Sequence, residues 1–527
     1  MRNFELPGRS PVIAANGICA TSHPLAALAA VDMLRAGGNA VDAAIAGAVL
    51  LGICEPAMCG LGGDCFALVK PAGEERVVAL NGSGRAPAGL SAAALRDRGL
   101  TAIGTESAES VTLPGAVDAF GRLSAAWGRA GLAASLAPAI RYAEEGVPVA
   151  PRVARDWALE AGRLNADARR FYAPDGQAPA VGTLFRAPGI AEVLRRIARD
   201  GPEAFYRGEV ADDMLAALSA AGGSHTAADF ASVRADWTDP IAGTFGDHTV
   251  LEHPPNGQGA TAILLLNILK HFDLASLDPF GAERAHLEAE ATKLAYDARN
   301  RFIADPDHTT RLDHMLSPAT AERLAALIDP SRAMPLPPRA AEAVHRDTVL
   351  ITVVDRDGMA VSLIHSIFWA FGSGIASPRF GILMQNRGAG FTLQEGHPNE
   401  AAGGRRPLHT IIPAMLARED RIVMPFGVMG GAYQAVGHAR VVSNMLTWGM
   451  DPQEAIDGPR TFLDAGQGLL VESGYSDAVR AKLTALGHHV VRPDDPIGGA
   501  QAILIDHERG VLIGASDPRK DGAAIGY

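Results

Sequence analysis

Hydrophobic and polar positions follow two different rhythms along the chain, and the rhythm changes near residue 348. Residues 24–54 read as two Ala-rich helices split by Gly37-Gly38-Asn39, with Ser22 as the cap of the first. Gly60-Leu61-Gly62-Gly63-Asp64 is a glycine-rich loop. Strand-like runs follow at 65–70 and 76–81, then the turn-rich NGSGRAP. From about residue 115 to 235 the pattern is helical with loops, and further helices are expected at 259–271 and 281–300. Residues 329–347 carry four prolines among Arg and acidic residues, which predicts an exposed, mobile linker. The next stretch is the richest in strands. Val349–Val354 and Met359–Ile364 form a predicted hairpin around the turn Asp355–Gly358. More strands are expected at 381–385, 410–417, 421–426, 501–506 and 511–514, with helices at 432–449 and 476–486. Helices on both sides of an apolar strand set predict an α/β sandwich whose sheets are covered by helices. No internal repeat is visible.

Composition narrows the function classes. The chain has 527 residues, with 47 Lys+Arg against 59 Asp+Glu, a formal charge of −12. Such a balance gives no basic footprint for nucleic acid. At 48% hydrophobic and 20% charged, the chain can bury a core and is not disordered. The length alone allows one large domain or several ordinary ones. Aromatic residues make up only 6%, so small aliphatic side chains must fill the interior. Only five basic residues are Lys, an imbalance read first as genome composition. The longest apolar run, Ala43–Cys54, has twelve residues. That is short of the roughly 18 a membrane span needs, so it predicts a buried helix. The N-terminus lacks the apolar segment of a signal peptide, so the expected location is cytoplasmic. Cys19, Cys54, Cys59 and Cys65 show no C-x-x-C spacing, which predicts a disulfide-free protein without a cysteine metal site.

Familiar catalytic signatures are missing. There is no G-x-S-x-G elbow, no Gly-Lys pair for a phosphate loop and no H-E-x-x-H. Gly60–Cys65 begins like a dinucleotide fingerprint but lacks its third glycine. One junction remains unusual. The proline-rich linker stops at Asp347-Thr348, where a buried strand begins. If the bond before Thr348 were cut, Thr348 would carry a hydroxyl and a free α-amine. An unperturbed α-amine has a pKa of about 7.7–8.0 and can take the hydroxyl proton near neutrality. One residue would then supply nucleophile and base together. A threonine opening a strand is also common without any function.

From Asp347 onward the chain resembles the γ-glutamyltranspeptidase family. The matching text is DTVLITVVDRDGMAVSLIHSIFWAFGSGI, GILMQNRGAGF, RPLHTIIPAML, GVMGGAYQ and GASDPRKDGAAIGY. The N-terminal part is similar in SHPLAALAAVDMLRAGGNAVDAAIA and EPAMCGLGGDCFALV. The resemblance implies an autoprocessed Ntn-hydrolase with an αββα core. It implies cleavage between Asp347 and Thr348, giving a large subunit of 1–347 and a small subunit of 348–527 that together make one structural domain. Thr348 matches the family's nucleophile, Ser366 a second hydroxyl that assists it, and Gly430 and Gly431 the oxyanion hole. The implied partners are a small-molecule substrate and the two subunits, as a heterodimer or a dimer of heterodimers. No cofactor, metal, nucleic acid or membrane is implied.

The departures bear on substrate. The family's carboxylate-binding Arg position is Ser83 here, with Arg85 two residues on. The acidic residue that holds the substrate α-amine is replaced by Gly390, in the loop Arg387-Gly388-Ala389-Gly390. A serine pair becomes His409-Thr410, and an Asn beside the nucleophile becomes Phe368. Substrate contacts are therefore expected from Arg85, Asn386, Arg387, Phe368, His409 and Thr410. An Arg387 without an acidic neighbour in its own loop should favour a carboxylate that lacks an adjacent ammonium. The family that the chain resembles contains an oxamate amidohydrolase branch in purine-ring catabolism, and oxamate fits that description. Other readings stay open. Arg85 is equally well a surface turn residue, Arg387 the partner of a distant carboxylate, Arg405-Arg406 a solvated face or a subunit contact, and His409 a structural histidine. The alternatives within enzymes are a γ-glutamyl hydrolase or transferase acting on glutathione-like compounds and a cephalosporin-type acylase. The rival outside enzymes is a binding protein that stays one chain.

Overall fold

The computed structural model describes residue 5 and residues 8–335, 348–464, 466 and 468–527. Two antiparallel sheets of seven strands each form the centre. The first runs Ala523–Gly526, Ile18–Thr21, Val349–Val354, Ala360–Ser366, Asp64–Lys70, Val78–Gly82 and Asp236–Thr238. The second runs Val12–Ala14, Val511–Ser516, Gly499–Asp506, Arg421–Met429, Ala414–Arg418, His248–Glu252 and Ile241–Phe245. Leu350, Ile364 and Phe66 of the first sheet pack on Met429 and Ile411 from the other side. Ile18, Ala20 and Leu68 meet Met415, Ala417 and Ile503 in the same interlayer.

Helices cover both outer faces. Pro24–Arg35 and Ala40–Cys54 lie on the first sheet, and Gly259–Leu269 and Gln434–Trp448 on the second. The result is the α/β sandwich with helix-covered sheets that the pattern predicted, in the αββα order that the resemblance implied. The strand Val349–Val354 is buried at all six positions because both faces are covered. This explains a run that is apolar but for Thr352 and shows no alternation. It pairs in register with the next strand, from Val349 opposite His365 to Val354 opposite Ala360. The register continues to Ser366 opposite Asp64. Thr348 therefore sits at one end of the central hairpin, beside the start of the strand that carries Asp64.

Ala40–Cys54 is buried almost all round, between the sheet and the helices Pro24–Arg35 and Leu132–Glu145. Its capping box joins Asn39 and Asp42. Small residues let it approach closely: a Cβ added at Gly47 would stand 2.3 Å from Ile351 Cδ1. All four cysteines are free and buried in this half of the molecule, as expected of a disulfide-free chain.

Several expectations need correction. His23, not Ser22, caps the first helix, with its ring accepting from the Leu25 amide. The Ser22 hydroxyl instead donates to buried Glu55 at 2.5 Å. Residues 381–385 do not form a strand. Their amides go to Ser377, Ile375 and the Gly62 carbonyl, which threads the segment past the glycine-rich loop. The beginning of the supposed mobile linker is anchored. The Ala333 amide donates to the Leu486 carbonyl at 2.7 Å, and the Met334 amide to Glu290 at 2.7 Å. The rest of that stretch, with Asp347, lies outside the described residues.

Candidate active site

Thr348 is fully buried at the head of its strand. Its Oγ1 lies 3.3 Å from Ser366 Oγ, which also accepts the Phe368 amide at 2.9 Å. The glycine-rich loop makes this approach feasible. A Cβ on Gly63 would stand 2.4 Å from the Ser366 carbonyl oxygen, and one on Gly62 would stand 2.0 Å from the Leu383 carbonyl oxygen. Backbone sits where side chains would be. Gly63→Ala is therefore expected to push Ser366 away from Thr348. Overpacking of this kind costs about 1–3 kcal/mol. A lower thermal midpoint together with slowed chain maturation is the expected result, read by calorimetry and gel.

Phe368 has φ of 81°, which turns the chain sharply after Ser366. Its ring lies beneath the Arg387 guanidinium, 3.9 Å from centroid to Cζ. Arg387 is fully buried. Its Nη1 donates to Thr410 Oγ1 at 2.9 Å, while Nε and Nη2 have no hydrogen-bond partner among the described residues. A buried guanidinium with open donors is costly. Burial pushes its pKa down to about 9 and nearby Asp64 opposes the drop, so it remains a cation at neutral pH.

Asp64 is the distant carboxylate that the alternative reading of Arg387 allowed. The fold brings this carboxylate to Arg387 from the far end of the sequence. Asp64 lies opposite Ser366, and Gln385, two residues before Arg387, donates to it. Asp64 is already engaged: Oδ1 accepts the Gly84 amide and Gln385 Nε2, each at 2.8 Å, and Oδ2 lies 3.0 Å from His409 Nε2. Burial raises its pKa to about 6, and Arg387, Gln385 and the amides of Gly84 and Gly115 pull against that rise. His409 Nδ1 accepts the Ile411 amide at 3.3 Å, so Nε2 carries the proton toward Asp64.

Gly430 and Gly431 have φ of 120° and 56°, the left-handed region that favours glycine. They end the strand Arg421–Met429 and lead into the helix Gln434–Trp448. Gln258 ties this turn to Thr410, donating to the carbonyls of Thr410 at 2.8 Å and Gly431 at 3.0 Å. Contacts thus run from Thr348 through Ser366, Phe368, Arg387 and Thr410 to the glycine turn.

Two expected substrate contacts are placed otherwise. Arg85 is 41% exposed at its side chain and is occupied by Asp305 at 3.4 Å, Asp236 at 3.6 Å and the Gly404 carbonyl at 3.0 Å. Asn386 stitches the loop, accepting the Trp369 amide and donating to the Thr105 carbonyl. Arg406 is buried and donates to the Ser83 carbonyl at 2.8 Å and to Asp236 at 2.5 Å, which corrects the solvated-face reading. Asp64, Gln258 and Gln385 were missed, since nothing local in the sequence marks them. A metal-like trio, His286, Glu290 and His488, is buried elsewhere. Its atoms already serve one another, the Asp329 carbonyl, Lys293 and the Met334 amide. Among the described residues no helix is long and apolar enough to cross a membrane.

A family model described as gamma-glutamyltranspeptidase matches residues 26–527. The oxamate amidohydrolase proenzyme of Klebsiella pneumoniae is 36% identical, over 98% of this chain and 99% of that one. The glutathione hydrolase-like YwrD proenzyme of Bacillus subtilis is 34% identical, over 98% and 99%. A cephalosporin acylase from Bacillus halodurans superposes with a TM-score of 0.93 at 39% identity, covering 100% of this chain and 99% of that one. With sequence and fold in agreement, the chain belongs to the gamma-glutamyltranspeptidase family, as an amide hydrolase of the Ntn class.

Proposed function

We propose that the chain matures by cutting itself before Thr348 and then hydrolyses the amide of a small carboxylate, with oxamate as the best-fitting substrate. The observation that carries this reading is Arg387: a buried guanidinium, stacked on Phe368, whose Nε and Nη2 have no hydrogen-bond partner among the described residues. An open fork of this kind matches a planar carboxylate. Phe368 connects it directly to Ser366 and thus to Thr348. A carboxylate on Arg387 would leave only a short reach to the nucleophile, which favours a compact substrate.

In this reading Thr348 Oγ1 attacks the amide carbon. The freed α-amine of Thr348 takes the hydroxyl proton, directly or through one water. Ser366 Oγ, within 3.3 Å, steadies the attacking oxygen. Amides of the Gly430-Gly431 turn receive the oxyanion, and each such donor is worth about 10²–10³ in rate. The C–N bond breaks, ammonia leaves with the proton from the amine, and water resolves the acyl-enzyme. From oxamate the products are ammonia and oxalate. Maturation uses the same hydroxyl on the Asp347 carbonyl, leaving subunits of 1–347 and 348–527 in one folded unit.

A direct comparison tests the substrate. Mature enzyme given oxamate and γ-glutamyl-p-nitroanilide side by side is expected to release amine faster from oxamate. Faster release from the glutamyl compound would overturn the proposal. A second reading, a cephalosporin-type acylase, draws on the Bacillus halodurans neighbour and on Phe368 beside Trp369. Including a cephalosporin side-chain amide in the same panel separates the two.

A further inference from the structure

The strand Val349–Val354 begins next to Thr348 and ends about 20 Å away, at a cavity between the two sheets. The cavity measures about 360 Å³. Lys70, which ends the strand Asp64–Lys70, and the hairpin turn Asp355–Gly358 line it from the first sheet. Arg421, which opens the strand Arg421–Met429, and the turn after Asp506 line it from the second. Val354, Ile422 and Leu512 also line it and belong to the apolar interlayer.

Charge is unevenly matched here. Three of the lining acids are already spent. Asp355 accepts the amides of Ala40, Asp357 and Met359. Asp357 is held by Arg129 at 2.7 Å and Asp506 by Arg509 at 2.9 Å, and neither of those arginines lines the cavity. The lining cations have no such partner. Lys70 Nζ donates to the Gly358 carbonyl at 3.3 Å and Arg421 Nη2 to His507 Nδ1 at 3.1 Å. Neither of them, nor Arg356, pairs with a carboxylate among the described residues. His507 donates from Nε2 to the Ile422 carbonyl at 2.9 Å, so it is a neutral ring that fixes Arg421 in place. Glu75 is the one lining acid left to face Lys70, Arg356 and Arg421. In a chain of net charge −12 this is a local excess of positive charge.

We propose that this cavity is a binding site for a small multivalent anion, a phosphate ester or a polycarboxylate, separate from the site at Thr348. Its volume falls within the range of about 300–1,000 Å³ that small-molecule sites occupy. Apolar walls beneath unmatched cations concentrate the field on an entering anion. Two of the cations are already held by hydrogen bonds, so less side-chain freedom is lost on binding. Because the cations stand on both sheets, an anion with two or more charged groups can engage both at once. Such a ligand ties the turn of the central hairpin to the second sheet and stabilises the folded state by mass action.

Calorimetric titration of the purified enzyme with pyrophosphate and with citrate, at constant ionic strength, tests this and separates phosphate from carboxylate ligands. The expected result is one anion bound per chain for at least one of the two. It should come with a rise in thermal midpoint that sodium chloride of equal ionic strength does not reproduce. Arg356→Gln combined with Arg421→Gln is expected to weaken binding about tenfold or more. Glu75→Gln, which removes the opposing charge, is expected to strengthen it. Amide hydrolysis without added anion should stay at the wild-type rate in each variant. Should the double variant not fold, Arg356→Gln alone serves, because that side chain is exposed and holds no partner among the described residues. No binding of either anion, or binding unchanged by the arginine substitutions, overturns the inference. So does binding that disappears with Arg387→Gln instead, since that places the anion near Thr348.

Discussion

Thr348→Ala is expected to yield a single uncut chain of 54.9 kDa with no amide hydrolysis. The argument is one of atoms. The substitution removes the only oxygen on residue 348 that can attack the preceding carbonyl. With no cut there is no α-amine, so base and nucleophile are lost together. The fold itself should survive. Thr348 Oγ1 contributes a 3.3 Å contact to Ser366, and the strand behind it is held by six register pairs with Ala360–His365. Far-ultraviolet circular dichroism and thermal midpoint should therefore stay near wild type while mass spectrometry shows one polypeptide. Thr348→Ser keeps the hydroxyl and should still mature. A cleaved Thr348→Ala protein would remove Thr348 as the agent of maturation.

The parts of this site that were legible in the sequence are those with a local signal. Val349–Val354 is apolar at every position but Thr352, so the strand and its abrupt start at Thr348 could be read directly. Gly430-Gly431 announced a turn between strand and helix. The parts that were not legible depend on pairing over long distances. Asp64 reaches Arg387 only because the strand Asp64–Lys70 lies next to Ala360–Ser366 in the sheet. Composition around Arg387 could not show this, and the loop looked free of acids. Arg406 misled for a similar reason. Its partners, Ser83 and Asp236, come from elsewhere in the chain, and only the fold turns this exposed-looking arginine into a buried brace. Residues 381–385 misled by their apolar character. They are buried by the glycine-rich loop and by residues 375–377, without joining a sheet.

Arg387→Gln is expected to abolish selective turnover of carboxylate-bearing amides while leaving the protein as stable as before or more so. The two halves of this prediction come from the same observation. Arg387 is fully buried, and Nε and Nη2 have no hydrogen-bond partner among the described residues, so without a bound carboxylate it is a charge kept at a cost. A glutamine loses that cost and can still reach Thr410. Asp64 would lose a favourable charge but keep its hydrogen bonds to Gly84, Gln385 and His409. Against substrate the balance reverses. Losing a buried, charge-assisted partner costs about 2–5 kcal/mol of binding. Because each 1.36 kcal/mol is about a factor of ten, kcat/KM for oxamate should fall by about 30-fold or more. Oxamide, the neutral diamide, should be far less affected, since it has no carboxylate to lose its partner. Arg387→Lys keeps the charge but not the planar fork, so it should fall between the two. A structural arginine predicts the opposite pattern: a drop in thermal midpoint and an equal loss on oxamate and oxamide. Thermal midpoint and the oxamate-to-oxamide ratio, measured on the same preparations, decide between a residue that holds the fold and one that the fold holds ready for its substrate.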